Sequence, residues 1–180
     1  MSTPRSLRMS HQVRWWDIDT PRGSFAALMA EPASGVRERQ PALLVPGYTG
    51  SKEDFLSVLD SLASAGRAVI ALDMRGQYQS GPAASSAGYG LDELGRDIVA
   101  VGAAIAGDAG RVHLLGHSFG GLVARQAVLS APESFLSLTL LGSGPGTISG
   151  ARAQALVDLL DFLEPAGDDI DVMRTMLTQL

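Results

Sequence analysis

The residues with the clearest chemical potential are the pentapeptide Gly116-His117-Ser118-Phe119-Gly120. A serine hydroxyl attacks an acyl carbon once a base takes its proton. Glycines two residues before and after the serine fit the G-x-S-x-G pattern, in which a strand turns sharply into a helix with the serine at its tip. A larger side chain at either glycine is expected to collide with the neighbouring turn. The sequence therefore predicts a strained turn that exposes Ser118 as a nucleophile.

Whether this pattern marks a true nucleophile turn or a chance match depends on the residues around it. With 21 glycines in the chain, such a pattern arises by chance about one time in four. The apolar run Val112 to Leu115 precedes it as a predicted strand, and residues 121–125 open a predicted helix. The amides at the start of that helix favour negative charge nearby. A glycine-rich turn with an idle serine is the alternative.

The elements that position this turn alternate along the chain. Two strands joined by a turn at residues 21–23 come first, and four apolar strands follow, each with a helix after it where the pattern is clear. The predicted strands are Gln12–Asp19, Phe25–Ala30, Ala42–Val45, Ala68–Leu72, Val112–Leu115 and Leu136–Leu141, and the predicted helices between them begin near Phe55, Asp92 and Gly120. Strands that are apolar throughout indicate an α/β fold whose mostly parallel sheet has helices on both faces. The loop from Gln77 to Gly90 is long and small-residue-rich, and we expect it to be mobile and to border the site.

Three motifs resemble those of the α/β-hydrolase superfamily. They are Pro46-Gly47-Tyr48-Thr49-Gly50, Asp73-Met74-Arg75-Gly76 and the Ser118 pentapeptide, each at the end of a predicted strand. The resemblance covers the first two-thirds of that fold and implies that the sheet is truncated after its sixth strand. It also implies an oxyanion hole made by the backbone N–H groups of Tyr48 and Phe119. The 1–149 segment would then be the incomplete core, and 150–180 the start of a helical lid.

The activity implied by the resemblance is that of a serine hydrolase, similar to esterases and lipases. Ser118 would cleave an ester, thioester or related acyl bond of a small-molecule substrate through an acyl-enzyme. Relatives that open epoxides or remove halogens use a carboxylate instead of a serine. Neither a phosphate-binding loop nor metal-ligand spacing occurs in the sequence, so we expect no cofactor and no metal.

Two positions depart from the family pattern. Proline stands at position 46, where the family usually has histidine, and it leaves the N–H of Tyr48 in place. After Gly76 the family often continues Gly-x-Ser, whereas this chain continues Gln77-Tyr78-Gln79-Ser80. We expect Tyr78 to fill space that is open in relatives, and Asp73 and Arg75 to be scaffold residues that form ion pairs or caps.

The sequence does not supply a complete catalytic triad. In this fold the acid and then the histidine follow the serine, and no histidine occurs after His117. We interpret His117 as a support of the turn, with its side chain directed away from Ser118. We interpret His113 as a buried strand residue, and His11 lies far from the motif. The chain is thus interpreted as a partial sequence. A non-catalytic hydrolase-like binding protein is one alternative, and a second chain that completes the sheet and supplies the base is another.

Composition limits the remaining function classes. The net charge is −5 without basic blocks, which argues against nucleic acid as a partner. The chain has no cysteine, no apolar run near the roughly 20 residues of a membrane-spanning helix, and no signal-peptide pattern at its start. We therefore expect a cytoplasmic enzyme. Its substrate identity and oligomeric state are open.

We expect the purified chain to show little or no steady turnover of simple esters, since neither a triad histidine nor its acid is present in the sequence. The measurement is the rate of ester hydrolysis by the parent and by Ser118→Ala. A steady rate that disappears in Ser118→Ala would contradict the interpretation of the chain as partial.

Overall fold

The computed structural model describes residues 9–33, 39–107, 110–144 and residue 158. The strands are β1 (Val13–Thr20), β2 (Gly23–Ala30), β3 (Arg39–Val45), β4 (Arg67–Leu72), β5 (Val112–His117) and β6 (Phe135–Leu141). The helices are α1 (Leu56–Ser64), α2 (Leu91–Ala106) and α3 (Phe119–Ser130), with short 3-10 helices at Lys52–Phe55, Ser86–Tyr89 and Pro132–Ser134. Each predicted strand and helix before residue 142 is present.

The six strands form one sheet in the order β1-β2-β4-β3-β5-β6. The first two pairs, β1 with β2 and β2 with β4, are antiparallel. The other three pairs, β4 with β3, β3 with β5 and β5 with β6, are parallel. The carboxyl ends of β3, β4, β5 and β6 therefore meet at one edge of the sheet, where the three sequence motifs follow three of these strands.

Both faces of the sheet are covered, as the continuous apolar strands predict. Successive residues of β3 alternate between two clusters, with Leu43 and Val45 on one side and Leu44 on the other. The cluster around Leu44 includes Leu56, Leu59 and Ala63 of α1. The opposite cluster contains residues from α2 and α3, among them Ile98, Val101, Leu122, Val123 and Ala127. The predicted mostly parallel α/β fold is confirmed.

The predicted helices after residue 150 lie outside the described residues. The division into a core at 1–149 and the start of a lid at 150–180 therefore stays a prediction. Within the described ranges, no helix combines the length and apolar character needed to cross a bilayer.

A buried carboxylate of α2 connects this helix with two loops. Asp97 of α2 is 3% exposed and lies 2.5 Å from Nε of Arg22, in the β1–β2 turn. Nε and Nη2 of Arg75, just after β4, donate to the two oxygens of the same carboxylate at 2.6 and 2.7 Å. These hydrogen bonds are the main cause of the raised pKa of both arginines. Arg75 is thus a scaffold residue, as predicted.

We expect Asp97→Asn to lower the free energy of unfolding by about 2–4 kcal/mol, because it leaves two guanidinium groups facing a neutral amide. The matched control is Asp92→Asn on the same helix, where the carboxylate is 62% exposed and 4.0 Å from Arg96. That change should stay within about 0.5 kcal/mol. Urea unfolding of both variants measures these free energies. Equal urea midpoints for Asp97→Asn and Asp92→Asn would contradict the role given to Asp97.

Candidate active site

Ser118 lies in a tight turn between β5 and α3. Its φ of 53° and ψ of −120° are rare for a residue with a side chain. The Ser118 N–H donates to the carbonyl of Leu141 at 2.9 Å, and its own carbonyl accepts from Gly121 at 2.9 Å. Phe119 is already the first residue of α3. The geometry agrees with the predicted strained strand-to-helix turn, and the Ser118 residue is exposed.

The glycines that flank Ser118 stand where no side chain fits. A Cβ on Gly116 would lie 2.5 Å from the Cα of Gly121. On Gly120 it would collide with the backbone carbonyls of Pro46 and Val45 at the end of β3. The need for small residues, inferred from the pattern, therefore has two causes: the first turn of α3 packs against Gly116 at the end of β5, and Gly120 packs against the backbone at the end of β3.

The loop after β3, residues 46–50, approaches the turn from the neighbouring strand. A Cβ on Gly47 would lie 3.3 Å from the Cβ of Ser118. The rings of Tyr48 and Phe119 meet edge to face, with centroids 6.1 Å apart. Phe119 opens its helix, so its amide has no partner within that helix. The two residues predicted to supply the oxyanion hole are thus brought together beside Ser118.

An open cleft of about 510 Å³ extends from this loop. Its size is within the range of small-molecule sites. Its walls come from the loop after β3 and the loop after β4, and are formed by Tyr48, Thr49, Gly50, Ser51, Glu53, Gly76, Gln77 and Tyr78.

Comparison with known proteins decides the family. The sequence profile of the alpha/beta hydrolase fold family matches residues 41–179. The chain belongs to this family. It is 38% identical over 133 residues to the Variovorax paradoxus (strain S110) protein named "Putative carbamate hydrolase RutD", covering 73% of this chain and 49% of that one.

Two further proteins show similarity of different kinds. A dihydrolipoyllysine-residue acetyltransferase component of an acetoin cleaving system, from Pseudomonas putida, is 37% identical over 119 residues, which are 65% of this chain and 31% of that one. The structure of an epoxide hydrolase from an endophytic Streptomyces has a TM-score of 0.66 at 23% identity, covering 83% of this chain and 43% of that one. This last likeness concerns the fold alone. The chain spans half or less of the length of these proteins.

A buried lysine lies beside the cleft of this α/β hydrolase. Lys52 is the only lysine in the chain and is fully buried. Its backbone N–H and its Nζ donate to the two oxygens of Asp73, at 2.8 and 2.6 Å. Nζ also lies 3.2 Å from Glu53 and 4.8 and 4.6 Å from the ring centres of Trp15 and Tyr78. Asp73 is a scaffold residue, as predicted, and Lys52 was missed by the sequence reasoning.

That Tyr78 fills space that is open in relatives stays a prediction. The residue is 73% exposed and covers Lys52 at the surface, so it fills no interior space. Its φ of 38° is another left-handed value.

The three histidines have different surroundings. The His117 ring lies between the Cβ positions of Gly47 and Gly142, at 3.4 and 3.8 Å. The ring is also near Asp54. Burial raises the pKa of Asp54, and the charge of His117 offsets part of this increase. Among the residues that the structure describes, no histidine nitrogen forms a hydrogen bond with Ser118. His117 is packed against the loops of the site, consistent with a supporting role.

The other two histidines lie away from the turn. Nδ1 of His113 is 2.7 Å from Oγ of Ser137 on β6, and burial, followed by the charge of Arg67, lowers the pKa of His113. The side chain is half-buried rather than fully buried as expected. His11 is exposed ahead of β1. Among the described residues, no three acidic or histidine side chains converge in a way that could hold a metal ion.

We expect Gly120→Ala to lower the free energy of unfolding by about 1–3 kcal/mol, because the added methyl group meets backbone carbonyls that cannot rotate away. Gly81→Ala is the control, since a Cβ there meets no atom within 4 Å. Its effect should stay within about 0.5 kcal/mol. Urea unfolding measures both, and a neutral Gly120→Ala would contradict the close packing of β3 on α3.

Proposed function

We propose that this protein is a serine hydrolase that cleaves an acyl bond through a covalent Ser118 acyl-enzyme. The observation that carries the proposal is the approach of Gly47 to Ser118, with 3.3 Å between the Cβ position of the first and the Cβ of the second. This approach brings a second backbone segment to a serine that already stands at a strained strand-to-helix turn. A nucleophile alone would need no such neighbour, whereas a developing oxyanion does.

The proposed reaction begins when Oγ of Ser118 attacks the acyl carbon of the substrate. The carbonyl electron pair moves to oxygen, and the N–H groups of Tyr48 and Phe119 stabilise the resulting negative charge. A base accepts the serine proton and returns it to the leaving group as the C–O, C–S or C–N bond breaks. Water then attacks the acyl-enzyme in the same way and frees Ser118. The start of α3 adds its positive end to the stabilisation of the oxyanion.

The base of this reaction is not assigned to any histidine of the chain. His113 is bonded to Ser137, and His117 lies against the glycines of two loops. The full reaction thus needs groups that this sequence does not provide. Backbone donors and binding alone still leave a serine hydrolase about 10³–10⁴-fold above water when a triad member is removed. For this chain we expect one slow attack by Ser118 on a reactive acyl or phosphonyl group, stabilised by the backbone donors, and no sustained turnover because no base activates water.

The proposed substrate class is a small molecule with an ester, thioester or carbamate group. All three present a carbonyl carbon to the serine and place charge on the same oxygen in the tetrahedral intermediate. Carbamates are included because the Variovorax relative is named for carbamate hydrolysis. The open cleft that begins at Tyr48 offers space for the part of such a molecule that extends beyond Ser118, which is not itself a wall of the cleft.

The test is intact-mass measurement after long exposure to a fluorophosphonate, a strong electrophile that the hydroxyl of Ser118 attacks slowly when the oxyanion donors are in place. We expect one adduct on the parent chain, located at Ser118 by peptide mapping, and none on Ser118→Ala. Ser143→Ala is the matched control, because Ser143 lies against Gly121 beside the same turn, and it should be labelled like the parent.

Two results would contradict the proposal. Equal labelling of parent and Ser118→Ala would place the reactive group elsewhere. A complete lack of labelling in all three proteins would show that the strained turn and its backbone donors do not make Ser118 reactive, which favours a binding protein with a hydrolase-like fold.

A further inference from the structure

We propose that Gln77 is the positioning residue of the oxyanion hole. It holds the peptide between Gly47 and Tyr48 so that the Tyr48 N–H faces the oxygen of the reacting acyl group. This inference rests on the proposed function of Ser118. It assigns a role to a side chain that lies in the β4 loop, outside the three sequence motifs.

The side-chain amide of Gln77 is buried and uses both its ends. Nε2 donates to the carbonyl of Gly47 at 2.8 Å and to the carbonyl of Tyr48 at 3.1 Å. Oε1 accepts from the N–H of Met74 at 3.0 Å. Carbonyl oxygens only accept and a backbone N–H only donates, so one orientation of the amide satisfies all three partners. The reversed orientation would lose all three bonds.

The geometry of a peptide unit converts this contact into control of the Tyr48 amide. The carbonyl of Gly47 and the N–H of Tyr48 belong to the same planar trans unit and point in opposite directions. A donor that fixes this carbonyl on the Gln77 side therefore directs the N–H to the other side. The Gly50 N–H donates to the same carbonyl at 3.1 Å, so the peptide is held by two donors.

Gly47 makes such a restraint necessary. Glycine adopts a wider range of backbone angles than any other residue, so the peptide that follows it turns easily. A side chain at this position would restrict that freedom, but its Cβ would come within 3.3 Å of Ser118. Position 47 therefore needs a glycine to leave room for Ser118, and the glycine in turn needs the Gln77 donor to fix the peptide that follows it.

Gln77 is itself fixed by the loop after β4. Its N–H donates to the carbonyl of Met74 at 2.9 Å, and its carbonyl accepts from the N–H of Ser80 at 2.8 Å. Asp73, at the start of this loop, holds Lys52 at the far end of the loop after β3. The loop after β4 therefore holds the loop after β3 at both ends. Gln77 makes the contact at the end near Ser118, and Asp73 makes the contact at Lys52.

Two variants of the whole chain separate the donor from the rest of the side chain. Gln77→Glu keeps the oxygen that accepts from Met74 and replaces the Nε2 donor with a second acceptor. Gln77→Met removes both polar ends without adding charge, and so checks that the effect does not come from charge. Gln79→Glu is the matched control, because it makes the same chemical change at an exposed position of the same loop.

Two quantities are measured on each protein. The first is the rate of phosphonylation of Ser118 over a range of fluorophosphonate concentrations, followed by intact mass. The second is the hydrogen exchange of the Gly50 amide, which is bonded to Gly47, followed by NMR with the amide of Leu44 in β3 as an internal reference.

We expect both Gln77 variants to lower the limiting phosphonylation rate by at least about tenfold, because loss of one oxyanion donor costs about 10²–10³. The half-saturating probe concentration should change by less than about twofold, since the donor acts on the transition state. Exchange of Gly50 should become much faster while that of Leu44 does not. Gln79→Glu should match the parent in every measurement.

Unchanged phosphonylation in both Gln77 variants would overturn the proposal. So would equal acceleration of exchange at Gly50 and Leu44, because Gln77 would then support the whole sheet rather than this loop. If the parent is not phosphonylated at all, the proposed function of Ser118 fails, and exchange alone decides. Faster exchange confined to Gly50 in the Gln77 variants would still show that Gln77 holds the loop, and unchanged exchange would refute it.

Discussion

The site depends on the direct contact between the end of β3 and the start of α3. At Gly120 the helix touches the backbone carbonyls of Val45 and Pro46 so closely that no Cβ fits between them. This contact fixes where α3 begins relative to the sheet, and Ser118 must take a left-handed conformation to connect β5 to it. Such a conformation costs about 1–3 kcal/mol and persists only where the surrounding structure enforces it. The parallel pairing of β5 with β3 and β6 provides that enforcement.

Loop positions are set by buried charge and by hydrogen bonds from a side-chain amide, in addition to apolar packing. Asp73 binds the main chain and side chain of Lys52, and Asp97 connects Arg22 with Arg75. Both carboxylates are buried, so their removal would leave positive charge without its partner in a poorly solvated place. Charged pairs of this kind specify one loop arrangement, because each alternative arrangement leaves a buried charge unpaired. The loop after β3 and the loop after β4, which form the walls of the cleft, are fixed in this way.

The sequence predicted the parts of the fold that depend on local patterns. Continuous apolar runs located the four parallel strands, and glycine spacing located the turn at Ser118, because strand burial and backbone crowding leave a signal within a few residues. The contacts of Lys52 and Gln77 join segments about 20 to 30 positions apart, and nothing in either segment alone indicates its partner. A single lysine next to a glycine-rich loop, with an aspartate after the following strand, was the available signal for the Lys52–Asp73 pair.

The segment from Gln77 to Gly90 is a second case in which the local sequence does not indicate a tertiary contact. Its small residues suggested mobility, yet Tyr89 is buried in the core and its hydroxyl accepts from the N–H of Ala83 at 3.0 Å. Tyr89 therefore anchors the end of this segment to the core, and the mobility of the residues before it stays a prediction. Amino-acid composition indicates the backbone flexibility of an isolated loop. Tertiary contacts such as that of Tyr89 reduce this flexibility, and they are not visible in the composition.

The central claim, that the loop after β3 and the start of α3 together surround an oxyanion at Ser118, is tested most directly by a crystal structure of the phosphonylated chain. The account predicts a phosphoryl oxygen within about 2.7–3.1 Å of the amide nitrogens of both Tyr48 and Phe119. An oxygen that points to solvent, or a Tyr48 amide turned away from the adduct, would contradict it.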